Sequence, residues 1–195
     1  MSDARVPCAW APIDDALYRE YHDTEWGVPE YDPRALWEKL QLDGMQAGLA
    51  WITILRKRDT IREEFDEFDP EKIVRWDQKR IDKALTNPGI IRSPKKIEAT
   101  IGNAKAFLDM ADAGEDFTEY LWDFVDGKPI VNHVEDYRDA PVKSAISEAM
   151  SKDLKKRGFK FCGPVIVYAF MQAVGIINDH EIDCPRHKDV QEYAR

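Results

Sequence analysis

Two of the three cysteines and two of the four histidines stand in pairs near opposite ends of the chain: Cys8 with His22, and His180 with Cys184. The second pair has the spacing His-x-x-x-Cys, so a helical turn there would put both side chains on one face, within reach of one ion. Structural zinc takes four Cys and His ligands tetrahedrally and leaves no position open for water. Such a set would tie the first and last parts of the fold together. Closing so long a loop stabilises by about 4–5 kcal/mol on the chain-entropy arithmetic used for disulfides. Neither pair has a standard zinc-finger spacing, so unrelated buried cysteines and surface histidines are the competing reading. His133 falls outside the set, and His187 is a weaker substitute ligand.

The chain between these pairs reads as helices. Asp32 before Pro33 is an N-cap and first helical position leading into Leu36, Trp37 and Leu40, which places Trp37 in the core. Ile97, Ile101, Ala104 and Leu108 recur at helical spacing, as do Phe117, Tyr120, Leu121, Phe124 and Val125, with Gly127 and Pro129 as the stop. A further helix is expected from Val142 through Ile146 and Met150 to Leu154. Residues 164–174 are apolar on nearly all sides and predict a helix through the middle of the domain. Alternating strand patterns are nearly absent, and residues 128–131 read as a short extended piece. The fold class is all-α.

A length of 195 residues fits one domain, or one with a small companion lobe. With 44% hydrophobic and 33% charged residues it has the balance of a soluble globular protein. Residues 1–7 hold no apolar run that would serve as a signal peptide, and residues 165–174 are too short to span a bilayer. Three cysteines do not make a disulfide framework, so a reducing, cytoplasmic setting is expected.

The run Arg157-Gly158-Phe159-Lys160-Phe161-Cys162-Gly163-Pro164 describes a tight hairpin between two helices. Amides opening the second helix would be free to hold a phosphate. Lys155, Lys156, Arg157 and Lys160 make this the densest basic stretch, although a capped surface turn with solvated lysines reads equally from the residues alone. The net charge of −9 argues against coating nucleic acid by bulk electrostatics and favours a small-molecule enzyme, while leaving room for one local basic patch.

Aromatic residues crowd the first 51 positions: Trp10, Tyr18, Tyr21, Trp26, Trp37 and Trp51. Most lie in irregular or boundary segments rather than in a helical stripe. Their faces suit a flat base, above all one bearing positive charge, and enzymes that act on a base draw it into such a pocket. In Asp43-Gly44-Met45-Gln46-Ala47-Gly48-Leu49-Ala50-Trp51 a carboxylate stands near an aromatic wall, where it would accept hydrogen bonds from an exocyclic amine. Taken alone, Asp43 reads first as the cap of a helix opening near Met45.

Several runs together resemble the 3-methyladenine DNA glycosylase I family. They are Tyr21-His22-Asp23-Thr24-Glu25-Trp26-Gly27-Val28-Pro29, Gln46-Ala47-Gly48-Leu49-Ala50-Trp51-Ile52-Thr53, Lys155-Lys156-Arg157-Gly158-Phe159-Lys160-Phe161, Phe170-Met171-Gln172-Ala173 and Asn178-Asp179-His180. The likeness runs from about Cys8 to Cys184. It implies a helix-hairpin-helix DNA glycosylase fold in one unit over residues 1–195, with the base pocket between helical lobes. It implies structural Zn2+ held by Cys8, His22, His180 and Cys184. Base-binding rings would be Trp10, Tyr18, Tyr21, Trp26 and Trp51, and the phosphate anchor Lys156, Gly158, Lys160 and Gly163. The family carries glutamate at the pocket acid, where this chain has Asp43; the carboxylate is withdrawn by about 1.5 Å.

The implied activity is hydrolysis of the N-glycosidic bond of 3-methyladenine in alkylated double-stranded DNA, with Asp43 as the catalytic carboxylate and no strand cleavage, since no lysine context demands a Schiff base. A monomer is expected. Asp179 is a rival carboxylate, but its place beside His180 points to support of the metal ligand or to a structural role. The alternatives are a reader of alkylated DNA that releases no base, with specificity altered by Asp43, and a small-molecule purine enzyme.

Overall fold

The structure, a computed structural model, describes residues 7–12 and 14–195. Most of the amino-terminal stretch read above for a signal peptide lies outside them. Among the described residues eleven α-helices follow in order: α1 (Ala16–Thr24), α2 (Pro33–Gln46), α3 (Trp51–Leu55), α4 (Arg58–Glu64), α5 (Pro70–Ile73), α6 (Gln78–Ala84), α7 (Pro94–Asp112), α8 (Phe117–Trp122), α9 (Ala145–Lys156), α10 (Pro164–Ala173) and α11 (Arg186–Asp189). None is long and apolar enough to cross a membrane.

The helix starts are written in the sequence. Asp32 accepts hydrogen bonds from the amides of Arg34 and Ala35 with Pro33 in the first turn, and Asp15, Asp69, Asp77 and Asp116 cap α1, α5, α6 and α8 in the same way. Helix α9 begins three residues later than Val142 because Ser144 and Ser147 form a reciprocal capping box; Val142 is left outside and exposed. The far end of α2 is closed by a side chain from elsewhere, since Lys96 donates to the carbonyls of Met45 (2.7 Å) and Ala47 (2.8 Å).

Helix α10 packs against α9 and α2 and forms the centre of the core, burying Val167, Tyr168, Phe170 and Met171. Only Val165, in its first turn, stands out into solvent. Trp37 is fully buried, as its place in the α2 stripe predicts. One departure from an all-α fold is a parallel pair of two-residue strands, β1 (Ile130–Val131) and β2 (Ile177–Asn178). The first falls in the extended piece read from sequence. The second is too short to show an alternating pattern.

The α9–α10 hairpin is fixed from inside. Asn103 of α7, itself buried, accepts from the Lys160 amide (2.7 Å) and donates to the Lys160 carbonyl (3.1 Å) and to Gln41 of α2 (2.8 Å). Gly44 lets Phe161 of the hairpin lie on α2: a Cβ there would stand 3.1 Å from the Phe161 carbonyl oxygen and 3.2 Å from its Cβ. The glycine beside Asp43 thus serves a helix–hairpin contact.

Candidate active site

Cys8, His22, His180 and Cys184 are all buried, and one ligand atom from each lies within 4.8 Å of every other. Sγ of Cys8 is 3.3 Å from Nδ1 of His180; Sγ of Cys184 is 3.6 Å from Nε2 of His22 and 3.8 Å from Nδ1 of His180. In a tetrahedral zinc site the S···N edges are about 3.6 Å, from bonds of about 2.3 and 2.05 Å. The set therefore fits such an ion without rearrangement. The rings are also oriented from behind, as ligands are: Nδ1 of His22 is 2.7 Å from Asp23 Oδ1, and Nε2 of His180 is 3.0 Å from the Trp26 carbonyl. Burial pushes His180 towards its neutral form. The two thiols are coupled: the neighbouring Cys184 thiol, then burial, raises Cys8, while Cys8 and the two histidines lower Cys184.

The route to this geometry differs from the expected one. Cys184 does not continue a helix from His180; residues 182–185 are turns, and Cys184 donates its amide to Glu181 (2.8 Å). Pro185 disfavours helical backbone at Cys184. His187 is not in the set and instead meets the carbonyl of Asn132 at 2.9 Å.

Against this Cys/His group stand the aromatic residues. Trp26 packs edge-on to His180 at 4.6 Å between centroids and stacks on His22 at 6.3 Å; Trp10 meets Trp26 at 4.8 Å and Tyr18 at 5.6 Å. Tyr21 leans on Trp51 at 5.3 Å. All five predicted rings, Trp10, Tyr18, Tyr21, Trp26 and Trp51, line one cavity of about 310 Å³, and Asp43 lines it with them. Burial raises the phenols of Tyr18 and Tyr21, keeping both as hydrogen-bond donors. Trp37, read as core, takes no part.

Asp43 is not a cap. It lies inside α2, 3% exposed, and burial raises its carboxyl against the pull of Lys39. Lys39, one helical turn earlier, donates from Nζ to Asp43 Oδ1 at 2.5 Å and sits 4.1 Å above the Trp51 ring centroid. The other oxygen, Oδ2, is buried without a protein partner, as are the indole N–H groups of Trp10 and Trp51. Buried polar atoms left free in a cavity wall are what a bound polar ring would satisfy.

Sequence reading missed Lys39, Gln46, Tyr168 and Gln172 in this wall. Lys39 was findable, four residues before Asp43 on one helical face. The Asp179 carboxylate touches neither candidate ligand histidine and has the structural setting instead: it accepts from Tyr168 (2.8 Å), Gln172 (2.7 Å) and Asn132 (2.7 Å) and lines the cavity, while the carboxylate bonded to a candidate ligand histidine is Asp23.

On the hairpin, Lys156, Gly158 and Lys160 are exposed together and Gly163 is the N-cap of α10. Gly158 has φ +101°, a conformation other residues rarely hold. Arg157 is engaged differently from its neighbours: it bonds Asp153 (2.7 Å) and Glu115 (3.0 Å) and covers the Tyr120 ring.

Fold and cavity together define a class, the hairpin-bearing helical proteins whose central cavity is walled by indole and phenol rings. The family is narrower: the profile of the methyladenine glycosylases matches residues 10–187, and the chain belongs to that family. A DNA-3-methyladenine glycosylase from Haemophilus influenzae is 50% identical over 178 residues, 91% of this chain and 96% of that protein. A crystal structure of 3-methyladenine DNA glycosylase I superposes with a TM-score of 0.90 at 47% identity, covering 92% of this chain and 98% of that one. A single-residue variant of 3-methyladenine DNA glycosylase I in complex with 3-methyladenine gives 0.88 at 39% identity, covering 92% and 96%.

Proposed function

We propose that this chain hydrolyses the N-glycosidic bond of 3-methyladenine in alkylated double-stranded DNA and leaves the strand uncut. What carries the reading is the gathering of five aromatic side chains and one buried carboxylate in a single cavity, in a chain half identical to a DNA-3-methyladenine glycosylase. Residues 1–195 are taken as one glycosylase unit, acting as a monomer. The three cysteines, all free and buried, suit a reducing cytoplasm, in which we place it.

In this reading the exposed Lys156 and Lys160, with the backbone at Gly158 and Gly163, hold the DNA backbone. The damaged nucleotide turns out of the stack into the cavity, where Trp10, Tyr18, Tyr21, Trp26 and Trp51 bind the base. Methylation at N3 leaves the adenine positively charged, so its C1′–N9 bond is already weakened. That bond breaks with its electron pair moving to the base, which departs neutral; a water oxygen joins C1′ and gives up a proton. Asp43 is the catalytic carboxylate, and its free Oδ2 is the acceptor for the exocyclic amine. Zn2+ on Cys8, His22, His180 and Cys184 is structural, and when bound it supplies rigidity to the cavity wall behind Trp26 rather than a reaction step.

The test is base release from methylated duplex DNA, with 3-methyladenine and 7-methylguanine measured side by side. Release of 3-methyladenine supports the reading. Tight binding of such DNA without release would mark a damage reader, and neither binding nor release would sink the assignment.

A further inference from the structure

A cation already occupies the place where a cationic ring would be held. Lys39 and Asp43 leave the same face of α2. The Lys39 ammonium touches both the Asp43 carboxylate, at 2.5 Å, and the face of Trp51, at 4.1 Å. These are the two attractions, charge pairing and ring quadrupole, that a positively charged purine would use.

Lys39 also lines a second cavity, of about 250 Å³, on whose walls stand Glu25, Glu30 and Glu38. Glu25 is bonded there to Arg58 and Glu38 to Arg62. The lysine stem thus stands on the partition between two cavities, with carboxylates on each side. Its side chain is 16% exposed, and four rotatable carbons give the ammonium room to change sides.

We infer that Lys39 sets the charge selectivity of the base cavity. Its ammonium is a resident competitor: a cationic ring engages Asp43 beyond its free Oδ2, and the face of Trp51 that Lys39 covers, only by driving the ammonium across the partition towards Glu25 and Glu38. A neutral ring of the same shape stacks on the other aromatic walls and leaves Lys39 where it is. The inference rests on the cavity being the base site, and it makes Lys39 a specificity residue of that site.

The experiment compares two probes by calorimetry. One is 3,9-dimethyladeninium, a fixed cation whose N9 methyl stands for the sugar; the other is 3-methyladenine at a pH where it is neutral. In Lys39→Met, of similar length and without charge, the affinity ratio of cation to neutral base rises about tenfold or more, roughly 1.4 kcal/mol. Lys39→Gln serves if the first variant fails to fold, and thermal melting reads both. In the unmodified protein, the NMR signal of the Lys39 ε-carbon moves on saturation with the cation and stays in place with the neutral base. An unchanged or falling ratio, or a lysine signal unmoved by the cation, overturns the inference while the base cavity stands. Should neither probe bind the unmodified protein, the base-cavity reading fails and the role of Lys39 with it.

Discussion

Gly27 lies directly against the imidazole of His180: a Cβ on Gly27 would stand 2.7 Å from Nε2 and 2.9 Å from Cδ2 of that ring. Gly27 also holds φ +80°, so an alanine there meets both backbone strain and a collision. Gly27→Ala should cost about 1–3 kcal/mol of stability and turn His180 away from the other three candidate ligands. Melting curves and the metal content of the purified variant check this. Full metal content at an unchanged melting temperature would mean that His180 tolerates the push.

Withdrawing the proposed ion should release the segments around Cys8 and His180 at once. Cys184→Ser, or a strong chelator, is expected to lower stability by up to about 4–5 kcal/mol, the cost of reopening so long a loop. Amide exchange should rise in the segments around Cys8 and His180 before it does so in α10. If the chelated protein melts as the untreated one does, the four residues are a buried polar cluster and nothing more.

The exposed hairpin lysines make a separable prediction. Lys156→Glu and Lys160→Glu should each weaken duplex DNA binding and flatten its salt dependence, by about 0.9 in log–log slope for each phosphate that is no longer neutralised. Binding of free 3-methyladenine should not change, because neither residue lines the cavity. Equal DNA affinity at every salt concentration would move the DNA-gripping surface elsewhere.

Asp153 gives a pH signature on the same hairpin. The Arg157 guanidinium holds its carboxyl below the ordinary value of 3.8. A depressed folded pKa contributes stability that is fully present above the unfolded value and is lost as pH falls through the folded one. The melting-temperature gap between the unmodified protein and Asp153→Asn should therefore be steady at neutral pH and close below about pH 3.8. Since both side chains are partly exposed, it should correspond to less than about 1 kcal/mol. A gap that persists at pH 2 would assign the effect to something other than the ion pair.

Helix starts and the core stripe were legible because they depend on local chemistry: a carboxylate that caps, a proline in the first turn, apolar residues every three or four positions. Asp32, Pro33 and Trp37 carry that information by themselves. The ligand pairs and the aromatic cluster were legible as compositions gathered at the ends of the chain, and the family resemblance joined them into sites. Contacts made across the fold were not legible. Nothing local says that Asn103 holds the hairpin backbone, or that Ile177 and Asn178 pair with Ile130 and Val131. Asp43 shows the limit well. The same residue type serves as a cap on exposed helix ends and as a buried partner of lysine, and only the packing of α10 and the hairpin against α2 decides between them.

Gly44, the neighbour of Asp43, is also where Phe161 of the hairpin rests. The loop that would grip a strand and the helix that lines the base cavity therefore meet at one contact. Whatever were clasped at Gly158 would then stand at a set offset from whatever lay over Asp43, since both supports meet where Phe161 rests on α2. A bulkier side chain at position 44 would press on Phe161 and shift the hairpin relative to α2 while leaving Asp43 and Gly158 themselves unchanged.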